Sequence, residues 1–216
     1  MTKTLSGPML PPRSGHAKKL VVLLHGYGSD GADLIALGQY WSPQIPDTAF
    51  VAPNAPSACA INPAGFEWFP LQTDRTISRV EGAPAAREVI VNFLIDLWAQ
   101  SGLKPADTIL AGFSQGAMMA LHTGLSLDEP VAGIVAFSGA LIPPAGLTDG
   151  LTPKMPILIA HGDRDDVVDP NLSREAVETL TALGYEVIYH RSPDTMHGIS
   201  QDMLDAATAF ILARTA

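Results

Sequence analysis

Three residue types placed far apart in the chain could together perform nucleophilic chemistry: one serine, one histidine and a group of aspartates. The serine is Ser114, in Gly112-Phe113-Ser114-Gln115-Gly116. This stretch joins an apolar run, Ile109-Leu110-Ala111, to apolar positions at helical spacing, Met118, Leu121, His122 and Leu125. A G-x-S-x-G segment between a strand and a helix has the context of a nucleophile elbow. A serine on so sharp a turn leaves no room for a Cβ two residues before or after it, and glycine alone has none. The helix that begins there aims free N–H groups and the positive end of its dipole at the hydroxyl, so negative charge developing on it is stabilised. The plain alternative is a glycine-rich loop with an incidental serine, and the strand before and helix after argue against it.

A serine hydroxyl is a weak nucleophile at neutral pH, so it needs a base within hydrogen-bond reach and a third group that holds the base in the right tautomer. His197, in Met196-His197-Gly198, lies in the loop after the last expected strand. His161-Gly162-Asp163-Arg164-Asp165-Asp166-Val167-Val168 lies in the loop after the strand before it. Both loops leave carboxyl ends of strands, as does Ser114. Of the other histidines, His25 and His161 precede glycine at strand ends, where bracing a loop by hydrogen bonds is the simpler role. His16, His122 and His190 fall in an extended lead-in, a helix and a strand end. For the acid, Asp163, Asp165, Asp166 and Asp169 compete, and spacing does not separate Asp165 from Asp166. A calcium loop would also explain the carboxylates, but counted from Asp163 its sixth position would be glycine and is Val168, and its twelfth would be glutamate and is Arg174.

Strands alternating with helices must position these groups. Residues 1–19 read as an extended lead-in able to add an edge strand. Leu20-Val21-Val22-Leu23-Leu24 is a strand apolar on both faces, ending at the glycine-rich His25-Gly26-Tyr27-Gly28. Leu34, Leu37 and Trp41 mark a helix from Asp33, and Ala49-Phe50-Val51 a short strand. Residues 52–82, interrupted by Pro53, Pro56, Pro63 and Pro70, are expected to be irregular. Phe66, Trp68 and Phe69 within them are candidates to line a substrate pocket, or else to anchor the loop to the core. Val89, Ile90, Phe93, Leu94, Leu97 and Trp98 give a clear helix, with Pro84 expected near its first turn and Gly102 just past its end. Residues 131–137, 157–160 and 185–190 read as further strands. Asp169-Pro170 reads as an N-cap and first helical position, Gly184 closes that helix, and Ser200 stands where it can cap the last one. The pattern is α/β: a mostly parallel central sheet between helix layers, one domain over residues 1–216, with no large cap domain between Phe137 and Pro156.

Composition narrows the partners. The chain has 216 residues, 47% of them hydrophobic, and a formal net charge of -9. With no basic cluster beyond Lys18-Lys19, a nucleic-acid or anionic-membrane partner is not expected. Its apolar runs are too short to span a membrane. The single cysteine, Cys59, forms no internal disulfide, and the first residues lack a signal-peptide core, so a cytoplasmic location is expected. The oligomeric state, monomer or homodimer, stays open.

The chain order Ser, Asp, His is that of the α/β-hydrolases. Leu24-His25-Gly26-Tyr27-Gly28, the Ser114 elbow, the His161–Val168 stretch and Met196-His197-Gly198 resemble the phospholipase/carboxylesterase family, related to acyl-protein thioesterases, over nearly the whole chain. In that family the third motif usually reads H-G-x-x-D-P-x-V-P, which assigns the acid to Asp165. Here Asp166 stands where proline is usual and Asp169 where proline would follow, leaving Asp166 as the alternative acid. The resemblance also implies oxyanion N–H groups on Tyr27 and Gln115. The implied reaction is two-step acyl transfer from a short- to medium-chain carboxylic ester to water, through an acyl-enzyme on Ser114. No metal or organic cofactor is required. A lysophospholipase or acyl-protein thioesterase would use the same residues on another small-molecule substrate. A non-catalytic binding protein on the same scaffold would be favoured by loss of a triad member, and all three are present.

Overall fold

The structure, a computed structural model, describes residues 4–150 and 152–215. The first three residues of the expected lead-in and the last residue of the expected domain lie outside them.

Seven strands form the main sheet: β1 (Met9–Leu10), β2 (Lys19–Leu24), β3 (Thr48–Val51), β6 (Thr108–Phe113), β7 (Gly133–Phe137), β8 (Ile157–Gly162) and β9 (Val187–Ser192). Their order across it is β1-β3-β2-β6-β7-β8-β9. Every neighbouring pair is parallel except β1 with β3, so the lead-in does add an antiparallel edge strand. A two-stranded ribbon, β4 (Ser57–Ala58) with β5 (Phe66–Glu67), stands apart. The chain leaves β2 for β3 on one side and returns to β6 on the other. Ligand sites of open α/β sheets form at such a reversal, beyond the carboxyl ends of the strands.

The strands are apolar on both faces because both faces are covered. Leu20, Val22 and Leu24 of β2 belong to one continuous core with Ile90 and Leu94 of α2 (Arg75–Ser101), with α3 (Gln115–Gly124), and with Ala176 and Leu180 of α4 (Pro170–Ala182), which covers the β8–β9 side of that face. Val21 and Leu23 point the other way, into a core shared with Leu34 and Trp41 of α1 (Gly31–Trp41), which packs on β2, and with Met203, Ala207 and Phe210 of α5 (Gln201–Thr215), which covers β7, β8 and β9. The alternation along one strand thus feeds two cores.

Several boundaries differ from expectation for definable reasons. The helix expected to begin near Pro84 begins at Arg75, so Pro84 sits well inside α2. Asp74 caps the start, accepting from the N–H groups of Thr76 and Ile77, and Ser78 donates to the Asp74 carbonyl. That cap and the burial and packing of the residues just before the exposed Pro84 offset the hydrogen bond that proline removes. Gly82 is part of that packing, since a Cβ there would come within 2.4 Å of Phe69 Cβ. β7 and β9 each start two residues later than the apolar pattern suggested. Asp169 caps α4 with Pro170 at its first position, as expected, and Gly184 follows at φ 84°. Between Phe137 and Pro156 the described residues hold only a short 3-10 turn, Leu147–Asp149. Among the described residues, no helix is long and apolar enough to cross a membrane.

Candidate active site

Ser114 occupies the turn between β6 and α3 with φ 55° and ψ −117°, a conformation that costs an L-residue energy and persists only where its surroundings impose it. Those surroundings are backbone. A Cβ on Gly112 would lie 2.3 Å from the Gly116 carbonyl oxygen, and one on Gly116 would lie 1.9 Å from that of Leu24. The elbow is therefore pressed against the end of β2, and the two glycines are required by close approach rather than by positive φ.

The Ser114 hydroxyl stands 3.0 Å from His197 Nε2, and His197 Nδ1 is 2.7 Å from Asp165 Oδ2. A carboxylate can only accept, so Nδ1 carries the proton, and Nε2 is left to accept from the serine. His197 follows β9, with 16% of its side chain exposed, and its ring packs at 4.8 Å centroid separation on that of Phe113. The loop that carries it is tied at its base. Ser192 Oγ is 2.6 Å from Thr195 Oγ1 and 3.0 Å from Ser200 Oγ, and donates to Asp202. Ser138, at φ 49° beyond β7, donates to the Gly198 carbonyl.

Asp165 is fully enclosed, and both its oxygens are engaged. Oδ1 accepts the N–H groups of Val167 and Val168, and Oδ2 accepts from His197 and from His161 Nε2 at 3.0 Å. Burial opposes its ionisation, but the hydrogen bonds from His197, Val168 and Val167 outweigh burial and hold the carboxyl below the usual carboxylate range. Asp166 is exposed beside it. The other competing carboxylates are committed elsewhere: Asp163 takes a bidentate pair from Arg191, and Asp169 caps α4. Among the described residues, no group of three or more His, Cys, Asp or Glu side chains is arranged to hold a metal ion.

His161 does brace its loop, bonding the Val168 carbonyl, but it also reaches Asp165, a role its position before glycine does not announce. Burial lowers its basicity, and the neutral ring donates from Nε2 while Nδ1 lies 2.6 Å from Ser173 Oγ.

Gln115 is part of the elbow, and Tyr27 follows the residue of the β2 turn that touches it. Gly26 lies against Ser114, where a Cβ would be 3.4 Å from the serine Cβ. In the turn after β2 the N–H of Ser29 closes back on the Gly26 carbonyl and that of Gly28 donates to the Phe66 carbonyl. Gln115 is the first residue of α3, where a backbone N–H has no intrahelical acceptor. The Tyr27 hydroxyl is held above its ordinary range, first by burial and then by hydrogen bonds with Cys59 and Glu67.

The aromatics of the expected pocket are placed differently from one another. Trp68 and Phe69 are enclosed in the core, 3% and 2% exposed, because their backbone is bonded to Gln115 and α2 closes over Phe69. Phe66 is half-buried, its carbonyl accepting from Gly28 N–H and its ring 6.4 Å from that of His25.

A mostly parallel sheet between helix layers, with a hydroxyl, an imidazole and a carboxylate in series beyond its strand ends, is the architecture of an α/β-hydrolase. The model of the phospholipase/carboxylesterase family matches residues 9–214, and the chain belongs to that family. It is a carboxylic ester hydrolase. The acyl-protein thioesterase 1 of Saccharomyces cerevisiae is 34% identical over 174 residues, covering 74% of this chain and 76% of its own. The esterase YpfH of Escherichia coli is 28% identical, covering 88% and 81%. Among solved structures, esterase PE8 is similar with a TM-score of 0.93 and 58% identity, over 96% of this chain and 98% of its own.

Proposed function

We propose that this protein hydrolyses short- to medium-chain carboxylic esters of small molecules, with Ser114 as nucleophile, His197 as general base and Asp165 as the acid that orients it. His197 Nε2 takes the Ser114 proton as the oxygen attacks the ester carbonyl. Asp165 stabilises the imidazolium. The backbone N–H groups of Tyr27 and Gln115 hold the tetrahedral oxyanion, as donors aimed where charge develops do. The alcohol departs with the proton from His197, and water then repeats the sequence on the acyl-enzyme, releasing the carboxylic acid. The observation that carries this reading is the unbroken series from Ser114 Oγ through His197 to Asp165, at 3.0 and 2.7 Å.

The acyl limit rests on the missing cap. Among the described residues only a short turn stands between Phe137 and Pro156, and we assign the cover over Ser114 to the 52–82 segment, with the half-buried Phe66 as its candidate lining residue. Each methylene fully buried is worth about 0.8 kcal/mol, so a deep tunnel rewards lengthening steadily while a shallow site stops rewarding it after a few carbons. A second reading, thioester hydrolysis at the same residues, is favoured by the likeness to the yeast acyl-protein thioesterase. We place the reaction in the cytoplasm, on one domain spanning the chain.

The test is a panel of esters and thioesters of graded acyl length, run on the purified protein and on Ser114→Ala. Turnover of esters that plateaus with length and vanishes in the variant supports the reading. Specificity that keeps rising through long acyl chains, or thioesters strongly preferred at every length, favours the thioesterase.

A further inference from the structure

The two N–H groups assigned to the oxyanion belong to different parts of the sheet. Tyr27 lies in the turn after β2, and Gln115 opens α3 after β6. The ladder joins these two strands as far as Leu24 and Gly112, and beyond that pairing no ladder bond ties their two paths to each other. Something must fix the separation of the two donors, since an oxyanion hole works by donors preset at the right distance from an oxygen not yet charged.

One residue bonds to both paths. The Trp68 indole N–H donates to the carbonyl of His25, two residues before Tyr27, at 2.9 Å. The Trp68 backbone N–H donates to Gln115 Oε1, also at 2.9 Å, and Gln115 Nε2 donates to the Phe69 carbonyl at 2.8 Å. His25 is itself held, its Nδ1 donating to the Gly26 carbonyl at 2.8 Å and its Nε2 accepting from Ala55 N–H at 2.9 Å. From the other side Gly116 bears on the same carbonyl, since a Cβ there would stand 2.6 Å from the His25 oxygen.

We propose that Trp68 and the side chain of Gln115 form a strut that sets the spacing of the Tyr27 and Gln115 N–H groups, both acting as positioning residues. The inference rests on the reading that Ser114 is the nucleophile and that Tyr27 and Gln115 hold the oxyanion. Buried polar groups need partners, and that need alone would place an indole or an amide here with no bearing on catalysis. What sets this pair apart is direction. Both atoms of a buried amide are spent on one backbone segment, 68–69, and the indole of that segment is spent on the opposite donor's turn. A strut of this kind matters more as the carbonyl oxygen gains charge than when the ester first binds. Loosening it therefore lowers turnover rather than substrate affinity.

The experiment uses the full chain with p-nitrophenyl butyrate and two variants: Trp68→Phe, which removes the indole donor and some ring volume, and Gln115→Met, which nearly keeps volume while removing both the amide donor and the amide acceptor. Four quantities are measured: kcat, KM, affinity for butylboronic acid as a tetrahedral mimic on Ser114, and inhibition by butyrate as a ground-state carboxylate. In each variant kcat should fall about tenfold or more while KM moves less than about twofold, as small misplacements of a catalytic constellation do. Boronate affinity should fall by a factor similar to kcat, with butyrate inhibition unchanged. The double variant should lose less than the product of the single losses, because both break one strut. Unchanged kcat in a variant that circular dichroism shows to be folded, a change confined to KM, or boronate affinity that holds while kcat falls would overturn the strut. If Trp68→Phe does not fold, Gln115→Met decides on the same criteria. Failure of the underlying reading is separately visible: wild-type protein would then bind no boronate at Ser114, or Ser114→Ala would keep its turnover.

Discussion

His161 Nε2 and His197 Nδ1 converge on one oxygen, Oδ2 of Asp165, from 3.0 and 2.7 Å. With the N–H groups of Val167 and Val168 on its other oxygen, this carboxylate is aimed before any substrate arrives, and its neighbour Asp166 stands exposed. Asp165→Asn should therefore cost about 10⁴-fold in kcat, through loss of the tautomer that leaves Nε2 unprotonated. Asp166→Asn should leave kcat unchanged. Parallel steady-state kinetics on the two variants decide the matter, and the reverse ranking would transfer the acid to Asp166.

Replacing the nucleophile separates chemistry from strain. Ser114→Ala should lower turnover by three or more orders of magnitude while keeping the melting temperature, because alanine retains the Cβ that makes φ 55° costly. Ser114→Gly should be equally inactive but about 1 kcal/mol more stable than the alanine variant, since glycine accepts that φ without penalty. Urea melts of the pair would show it. Equal stabilities would mean the turn stores no strain.

Stability should fall as the medium turns acidic, and the sign follows from three enclosed histidines. Burial lowers the basicity of His25, His122 and His161, so the unfolded chain takes up protons near pH 6.5 that the folded chain refuses. Stability is complete above that value and drains away as pH falls through it, by up to about 1.4 kcal/mol per pH unit for each histidine that titrates only on unfolding. Asp165, held below its usual range, adds a loss at still lower pH. Denaturant midpoints measured from pH 7.5 to 5 should decline, and a flat profile would contradict the neutral state of these rings.

Gly116→Ala should damage both fold and activity. Its Cβ would have to displace the Leu24 carbonyl at 1.9 Å, a backbone atom that cannot rotate away. A cost of about 1–3 kcal/mol is the expected scale for forcing an extra carbon into so close a contact. The opposite expectation holds at Gly198, where an added Cβ meets nothing within 4 Å, so Gly198→Ala serves as the matched control in thermal melts.

Much of this site can be read before folding is considered. The Ser114 elbow and His197 are marked by local patterns, because a glycine on each side of a serine and a histidine after a final strand depend on a few consecutive residues. Asp165 is not so marked. Its difference from Asp166 lies in which carboxylate faces the N–H groups of Val167 and Val168, a matter of loop path that residue spacing does not contain. The start of α2 was hidden by Pro84, whose local penalty is outweighed by Asp74 capping and by packing on Phe69. Trp68 and Phe69 read as pocket candidates because aromatic residues in a proline-rich loop suit either a cavity wall or a core. Only the long-range bonds to Gln115 and His25 distinguish the two.

The margins of the sheet have a consequence for self-association. An unpaired strand edge is a template on which a second copy can add its own strand. Here one margin is the two-residue β1, too short to offer such a template, and the other is β9, whose His190 and Arg191 pair with Asp202 and Asp163. Charged side chains held at one rim, and a rim strand cut short at the other, are devices that discourage a neighbour's strand from adding to a sheet edge. Edge-to-edge addition of a second copy is thereby disfavoured, so crowding at high concentration should not convert the fold into stacked β-structure.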